Sequence, residues 1–124
     1  MLLKEKLFNN WGRNVHSRPK KIQPKNLGEL KNIIKKKSYI IAGNQRSFGD
    51  VGVNNNLSIS MKNFDKIKNF DHKKGIIEVE SGLLLKHLLP IIIQKGWFLS
   101  VTPGTKYVSI GGMIANNVHG KNTN

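Results

Sequence analysis

The stretch that decides how the chain folds is Tyr39-Ile40-Ile41-Ala42-Gly43-Asn44-Gln45-Arg46-Ser47-Phe48-Gly49-Asp50. Its first four residues form a short apolar run that is typical of a buried strand, and Gly43 ends that run. Glycines on both sides of the following polar residues let the backbone curl until successive N–H groups point to one spot, a geometry that holds a phosphate. Arg46 adds a positive charge and Ser47 adds a hydroxyl donor. We expect Arg46 to Asp50 to lie in a loop between two strands.

This loop is by itself a weak indication of function, because an ordinary connection between strands can also be rich in glycine. It lacks the Gly-Lys-Ser/Thr of a phosphate-binding Walker loop. The pattern also predicts no helix directly after the loop, whereas a Rossmann fingerprint requires one. A ligand-holding loop and a plain connection therefore both stay open at this point.

Hydrophobic periodicity on both sides of the loop predicts the remaining elements. Before it, Asn26 is expected to cap a helix that ends near Lys36, with an apolar face formed by Leu27, Leu30, Ile33 and Ile34. After it, strands are expected at residues 57–61, 76–80 and 97–101. A second helix is expected from Ser81 or Gly82 to Lys95, and Pro90 should kink or divide it.

The order of these elements predicts an α+β fold, because helix-linked strands are combined with a hairpin pattern. Residues 9–23 show no period and are expected to be irregular. We expect residues 1–23 to form an irregular N-terminal segment and residues 24–124 to form one domain, which agrees with a length of 124 residues.

Two later segments also contain residues that suit a ligand site. Thr102-Pro103-Gly104-Thr105 precedes Ser109-Ile110-Gly111-Gly112-Met113-Ile114-Ala115, in which two glycines open a helical segment. Small residues there allow an anion to approach the helix, although they equally allow close packing without a ligand. The polar run Asn116-Asn117-Val118-His119-Gly120-Lys121-Asn122 resembles a pocket wall, whereas a lone histidine is more often structural.

The composition is strongly basic, with 21 lysines and arginines against seven aspartates and glutamates and a net charge of +14. Such a charge is typical of proteins that bind nucleic acids or anionic membranes, but the abundant lysine, asparagine and isoleucine all have AT-rich codons, and we favour that explanation. The chain has no cysteine, which excludes disulfides, thiolate metal sites and thiol nucleophiles. No histidine has a partner at ligand spacing, so no metal is expected.

The N-terminus carries lysines and a glutamate where a signal peptide needs an apolar core. The most apolar stretch, residues 83–99, is interrupted by charged and polar residues and by a proline, so no transmembrane helix is expected. We expect the protein to be cytoplasmic or peripherally associated with a membrane.

In their order along the chain, these segments resemble the flavin-binding domain of the vanillyl-alcohol-oxidase-like flavoproteins, the PCMH type named after p-cresol methylhydroxylase. Within that family the resemblance is to the decaprenylphosphoryl-β-D-ribose 2'-oxidases and their bacterial relatives. It covers nearly the whole chain and rests on five short motifs in register: Trp11-Gly12-Arg13, Arg46-Ser47-Phe48-Gly49-Asp50, Pro103-Gly104-Thr105, Ile110-Gly111-Gly112 and His119-Gly120-Lys121-Asn122.

The resemblance implies an incomplete PCMH-type FAD-binding domain of an oxidoreductase that oxidises a sugar or polyol hydroxyl. The implied substrate is a polyprenyl-phosphate-linked ribose, with hydride passing from C2' to the flavin, whose chemistry the protein orients and tunes. Relatives that bond FAD covalently through this loop place a histidine where Arg46 stands, so noncovalent FAD is expected. Gln45 is a departure, because relatives often carry glycine there.

The resemblance also assigns residues to the cofactor. The loop that wraps the FAD pyrophosphate with its amides would comprise Ile41, Ala42, Gly43, Asn44, Gln45, Arg46, Ser47, Phe48, Gly49, Asp50 and Val51. The remaining cofactor contacts would come from Gly104, Ser109, Ile110, Gly111 and Gly112, and from Asn116, Asn117, Val118 and His119 along the flavin. Lys121 would lie on the substrate side, and no catalytic residue is expected in this chain.

Family members are much longer, and their catalytic and substrate residues follow the His119-Gly120-Lys121 segment. We therefore expect a fragment, a truncated gene or half of a split enzyme that is not active alone. Its partners would be FAD, a separately encoded C-terminal half and a keto-sugar reductase of the same pathway.

The alternative is a noncatalytic basic module that binds polyanions or nucleic acid. A binder of single strands interleaves aromatic and basic residues so that bases can stack. The lysine clusters at residues 20–25, 35–37 and 66–74 contain one aromatic, Phe70. This favours the flavin interpretation, and no nucleic-acid partner is expected.

Overall fold

The structure, a computed structural model, describes residues 2–3, 8–35 and 38–120. Its strands are β1 (Leu2–Leu3), β2 (Phe8–Asn9), β3 (His16–Ser17), β4 (Lys20–Ile22), β5 (Ile40–Ala42), β6 (Leu57–Ser60), β7 (Ile67–Asp71) and β8 (Ile76–Val79). Its helices are α1 (Leu27–Ile34), α2 (Leu85–Ile93) and α3 (Ile110–Ala115). The mixture of helices and strands confirms the predicted α+β class.

A four-stranded sheet in the order β1–β4–β6–β5 forms the first layer. β6 lies between β4 and β5 and pairs with both in parallel, whereas β1 pairs with β4 antiparallel. Ile59 is fully buried at the centre of β6, and Ala42 is buried at the end of β5. Parallel pairing requires the chain to cross back between β5 and β6, and residues 43–56 make that crossing as a loop.

Residues 9–23 were expected to be irregular, and this is wrong for part of the segment. β3 pairs with β2, and β4 is a strand of the four-stranded sheet, where Ile22 lies opposite Ile59. The sequence Lys20-Lys21-Ile22 has no alternation of apolar and polar residues, so its strand forms through pairing with the distant β6. The division of the chain at residue 24 stays a prediction.

Helix α1 confirms the prediction made from Asn26. The Asn26 Oδ1 accepts a 2.9 Å hydrogen bond from the Glu29 N–H, as a helix cap should. The helix ends at Ile34, with Lys35 as its C-cap, and Lys36, the expected end, lies outside the described residues. Leu30 and Ile33 are half-buried on one face.

The second layer consists of the antiparallel hairpin β7–β8 and helix α2. Leu85, Leu88 and Ile92 recur at helical spacing along α2 and are buried with Leu83, and Phe70 and Ile77 of the hairpin pack against them. Strand β7 was not predicted, because its central residues Lys68 and Asn69 are exposed. Helix α2 begins later than expected and continues through Pro90 undivided.

The strand predicted at residues 97–101 is wrong, because the structure has no strand there. The Trp97 indole instead donates a 2.7 Å hydrogen bond to the His72 carbonyl, in the turn of the hairpin. Helix α3 confirms the helical segment after Ser109, whose hydroxyl accepts from the Gly112 N–H. Within the described ranges, none of the helices has the length and apolar character needed to cross a bilayer.

Candidate functional site

The crossing loop forms one side of a cleft of about 940 Å³, and residues 103–118 contribute the other side. This volume lies within the range of roughly 300–1,000 Å³ typical of ligand pockets. Arg46 to Asp50 lie in the loop between two strands, as predicted. The cleft therefore lies where the sequence analysis placed a ligand.

Most of the residues assigned to the cofactor from sequence line this cleft: Ile41, Ala42, Gly43, Asn44, Gln45, Arg46, Ser47, Phe48, Val51, Gly104, Ser109, Gly111, Gly112, Asn116 and Val118. Five others do not line it, namely Gly49, Asp50, Ile110, Asn117 and His119. Ile110 packs against the buried cluster around Leu85 instead. Lys121 lies outside the described residues.

The loop side of the cleft carries a run of unpaired backbone amides. In the described part of the chain, the N–H groups of residues 44–48 donate no hydrogen bond. Gln45 has a φ of +54°, in the left-handed region. A residue of that conformation within a run of free amides turns neighbouring N–H groups towards one side, and such a concave arrangement binds anions.

Gly43 and Ser109 bring the two sides of the cleft together. A Cβ at Gly43 would collide with the Ser109 Oγ, so a side chain there would require that hydroxyl to move. The loop is also tied across the cleft by the Asn44 side-chain amide, which donates a 2.7 Å hydrogen bond to the Tyr107 carbonyl. The two glycine-containing motifs are therefore neighbours in space although they are far apart in sequence.

Gly111 and Gly104 differ in what surrounds them. A Cβ at Gly111 would lie 2.8 Å from the Ser81 Cβ, and the Gly111 N–H already donates to the Ser81 carbonyl at 2.8 Å. A Cβ at Gly104 would meet no described atom within 4 Å. Gly111 thus serves close packing of α3 against the Ser81 turn, whereas Gly104 has open space beside it in the cleft.

Arg46 lies between two aromatic rings. Its guanidinium carbon is 4.6 Å from the centre of the Trp11 ring and 5.8 Å from the centre of the Tyr107 ring. Both distances are within the range of cation–π attraction. The Arg46 Nε is buried and has no hydrogen-bond partner in the described part of the chain.

Several lining residues were missed by the sequence analysis, including Met61, Ser81, Val108 and Met113. They occur singly in apolar or turn segments, where no sequence signal separates a pocket wall from a core. Trp11 could have been found, because it belongs to one of the quoted motifs, and its N–H donates to the Ser47 carbonyl at 3.0 Å.

Comparisons with known proteins agree with this geometry. A family model described as "FAD binding domain" matches residues 21–124. The chain belongs to the FAD-binding domain family. This match includes residues from both sides of the cleft.

Relatives with known names include oxidases and dehydrogenases. The chain is 33% identical over 87 residues to decaprenylphosphoryl-β-D-ribose oxidase of Mycolicibacterium smegmatis, an alignment that covers 69% of this chain and 19% of that protein. It is 26% identical over 118 residues to mouse (Mus musculus) L-gulonolactone oxidase, an alignment that covers 90% of this chain and 27% of that protein. The chain thus spans only about a fifth to a quarter of the length of these relatives.

The fold also resembles part of a solved structure. Cholesterol oxidase from B. sterolicum matches with a TM-score of 0.78 at 14% identity, over 97% of this chain and 25% of that one. At this identity the likeness concerns the fold alone. It confirms a PCMH-type FAD-binding architecture of which this chain forms a part.

The residues present fit FAD. Free amides at residues 44–48 and the unpaired Arg46 Nε suit a group that carries negative charge. The open space beside Gly104 and the exposed apolar side chains of Phe48 and Val51 suit a flat aromatic group. FAD contains both a pyrophosphate and aromatic rings, so the cofactor suits both the polar groups and the apolar side chains of the cleft lining.

Proposed function

We propose that the chain supplies the pyrophosphate-holding wall of the FAD site in an oxidoreductase that oxidises a hydroxyl of a sugar or polyol. The observation that carries this proposal is the run of unpaired amides at residues 44–48 beside the cleft. A folded protein rarely leaves a run of backbone donors without partners unless water or a ligand satisfies them. The family membership supports FAD as that ligand.

The chain's own residues would bind and orient the cofactor. The amides of residues 44–48 would donate to phosphate oxygens, and Gly104 would let a ring lie against the backbone. Bound FAD supplies the hydride acceptor, which is chemistry that protein side chains lack. Because arginine cannot form the covalent link that a histidine forms, Arg46 supports noncovalent binding.

The substrate class we propose is a ribose carried on a polyprenyl phosphate. Support comes from the similarity to the mycobacterial ribose oxidase over 69% of the chain. Oxidation at one ribose carbon leaves a keto sugar, so a reductase that consumes it is the partner expected in the same pathway.

We also propose that further protein residues cover the cleft, carried by a separately encoded C-terminal half. Phe48 is 71% exposed and Val51 is 55% exposed, and both line the cleft. Exposed apolar side chains in a cleft lining are typical of surfaces that bind a ligand or another protein. The additional half would cover this surface and supply the catalytic groups.

The proposal is tested by titrating the 124-residue chain with FAD, FMN and riboflavin while flavin fluorescence is recorded. We expect weak binding with FAD favoured over riboflavin by roughly tenfold or more, since two charge-assisted hydrogen bonds are worth at least about 1.4 kcal/mol. Equal affinity for FAD and riboflavin would contradict a pyrophosphate cradle. Submicromolar FAD binding with sugar oxidation by the chain alone would contradict the need for a second half.

A further inference from the structure

Large apolar side chains are exposed where helix α2 ends, away from the cleft. Ile93, the last residue of α2, is 52% exposed, Trp97 is 38% exposed and Phe98 is 60% exposed. None of the three lines the cleft. Neighbouring exposed apolar side chains on a protein surface are typical of a place where a partner binds.

The fold holds Trp97 against the turn of the hairpin. Gly96 has a φ of +79° and the Trp97 N–H donates to the Ile92 carbonyl at 3.0 Å, a helix ending in which a left-handed glycine reverses the chain. A Cβ at Gly75 would lie 2.6 Å from atoms of the Trp97 ring, and the indole N–H donates to the His72 carbonyl. The indole is thus fixed both by its ring and by its N–H.

Exposed lysines border these side chains. Lys73 and Lys74 lie in the turn that Trp97 contacts, and Lys95 lies two residues before Trp97. The Asp71 Oδ1 accepts the N–H groups of Lys73 and Lys74 at 3.1 Å each, which fixes the turn. Asp71 is the one acidic residue in residues 71–75 and 93–98, so the three lysines leave a net positive charge. We call the following six residues the Trp97 face: Lys73, Lys74, Ile93, Lys95, Trp97 and Phe98.

The composition of the Trp97 face favours a lipid surface over a protein. Protein interfaces are enriched in arginine and depleted of lysine, whereas this face has lysine and no arginine. Tryptophan is typical of the boundary between lipid headgroups and acyl chains, and lysines near a membrane are attracted to anionic lipids. Because a bilayer surface is extended, each lysine can meet a different headgroup.

We infer that the Trp97 face docks on the surface of an anionic lipid bilayer. Ile93, Trp97 and Phe98 enter the boundary between headgroups and acyl chains, and the lysines lie at the level of the lipid phosphates. The net charge of +14 adds a long-range attraction to the same surface. The inference goes beyond the proposed function and does not depend on it, because the face lies outside the cleft and needs no flavin.

The charge part of the inference is tested by sedimenting the whole chain with vesicles of phosphatidylcholine, with or without phosphatidylserine. We expect binding to the vesicles that contain phosphatidylserine, and added salt should weaken it. Lys95→Gln should lower this affinity by roughly fivefold. Lys31→Gln is the matched control, because it removes the same charge from an exposed position of α1, and it should change the affinity by less than about twofold.

The apolar part is tested by Ile93→Ala. Loss of the buried methyl and methylene groups should lower the affinity for the same vesicles by roughly fivefold or more. Ile114→Ala is the matched control, since Ile114 is 78% exposed on α3 and lies outside the Trp97 face. Failure of the wild-type chain to bind the vesicles, or equal effects of a variant and its matched control, would overturn the inference.

Two further measurements identify the occupant of the face. The chain has two tryptophans, Trp11 and Trp97, so Trp11→Phe leaves Trp97 as the source of tryptophan fluorescence. Quenching by vesicles with brominated acyl chains would support insertion, and binding to them without quenching would overturn it. Sedimentation velocity tests a second copy as the occupant. A dimer that Ile93→Ala abolishes, together with no vesicle binding, would assign the face to self-association and overturn the lipid surface.

Discussion

The N–H of Gly111 donates a 2.8 Å hydrogen bond to the carbonyl of Ser81, and a Cβ at Gly111 would lie only 2.8 Å from the Ser81 Cβ. This contact joins helix α3 to the turn that leads into α2. Sequence reasoning explained the Gly111-Gly112 pair either by a cofactor or by close packing. At Gly111 the structure favours close packing, because the space a side chain would take is occupied by the protein itself.

Gly111→Val is therefore expected to destabilise the fold rather than remove a cofactor contact. The branched side chain would push α3 away from Ser81, and overpacking of this kind costs about 1–3 kcal/mol. Urea unfolding followed by circular dichroism measures the loss. Gly104→Ala is the control and should unfold at the wild-type urea concentration, because its surroundings are open. An unchanged midpoint for Gly111→Val would contradict the packing role.

Gly104→Val is expected to leave the stability of the fold unchanged and to weaken FAD binding. No described atom lies within 4 Å of the added Cβ, so the free energy of unfolding should stay within about 0.5 kcal/mol of wild type. The side chain would project into the space proposed for FAD and should weaken FAD binding by roughly tenfold or more. Flavin fluorescence measures this affinity. Wild-type FAD affinity in this variant would show that the cofactor does not lie against Gly104.

Gln45→Gly is expected to stabilise the loop. Gln45 has a φ of +54°, a conformation that costs a residue with a side chain roughly 1–2 kcal/mol. The variant loses a long hydrogen bond of 3.3 Å from the Gln45 side chain to the Asn9 carbonyl and gains freedom in the unfolded chain. The free energy of unfolding, measured with urea, should therefore rise by about 0.5–1 kcal/mol.

The matched control for this loop is Gly49→Ala. Gly49 has a φ of +64° with no described atom near its Cβ position, so alanine should destabilise through the backbone alone, by about 1 kcal/mol. If Gln45→Gly and Gly49→Ala changed the free energy of unfolding in the same direction, the left-handed conformations would not control the stability of this loop.

Glu80 is expected to make stability depend on pH in acid. Its carboxylate accepts hydrogen bonds from the Lys68 ammonium at 2.9 Å and the Lys66 N–H at 3.0 Å, and these contacts, Lys68 first, lower the pKa of Glu80 below its usual 4.5. The folded state thus favours the charged form. The resulting stability is present above the unfolded pKa and is lost as pH falls through the lower folded pKa.

Glu80→Gln should therefore flatten the decline of the melting temperature below about pH 4.5. Glu78→Gln is the matched control, because Glu78 lies two residues before Glu80, in β8, is exposed and forms no ion pair among the described residues. Thermal melts at a series of pH values measure both. Parallel melting curves for wild type and Glu80→Gln would contradict the role of this carboxylate.

Local patterns were sufficient for much of the fold. Asn26 before an apolar stripe predicted α1, and the helix expected to end at Lys95 corresponds to α2, which begins later than expected. Strand β4 could not be predicted in this way, because Lys20 and Lys21 carry no strand pattern and the strand exists through its pairing with β6. The strand wrongly predicted at residues 97–101 has a similar cause, since the Trp97 side chain packs on a hairpin turn that is distant in sequence.

The sequence by itself determined the apolar strand that ends at Gly43, the polar loop after it, the helical segment opened by Gly111 and Gly112, and the resemblance to flavoproteins. These features depend on neighbouring residues, whose side-chain period and backbone freedom are set locally. Only the tertiary structure decided that Gly43 meets Ser109, that Gly111 packs on Ser81, and that Arg46 lies between Trp11 and Tyr107. Such contacts join segments far apart along the chain, so they form only when the layers pack and exclude water between them.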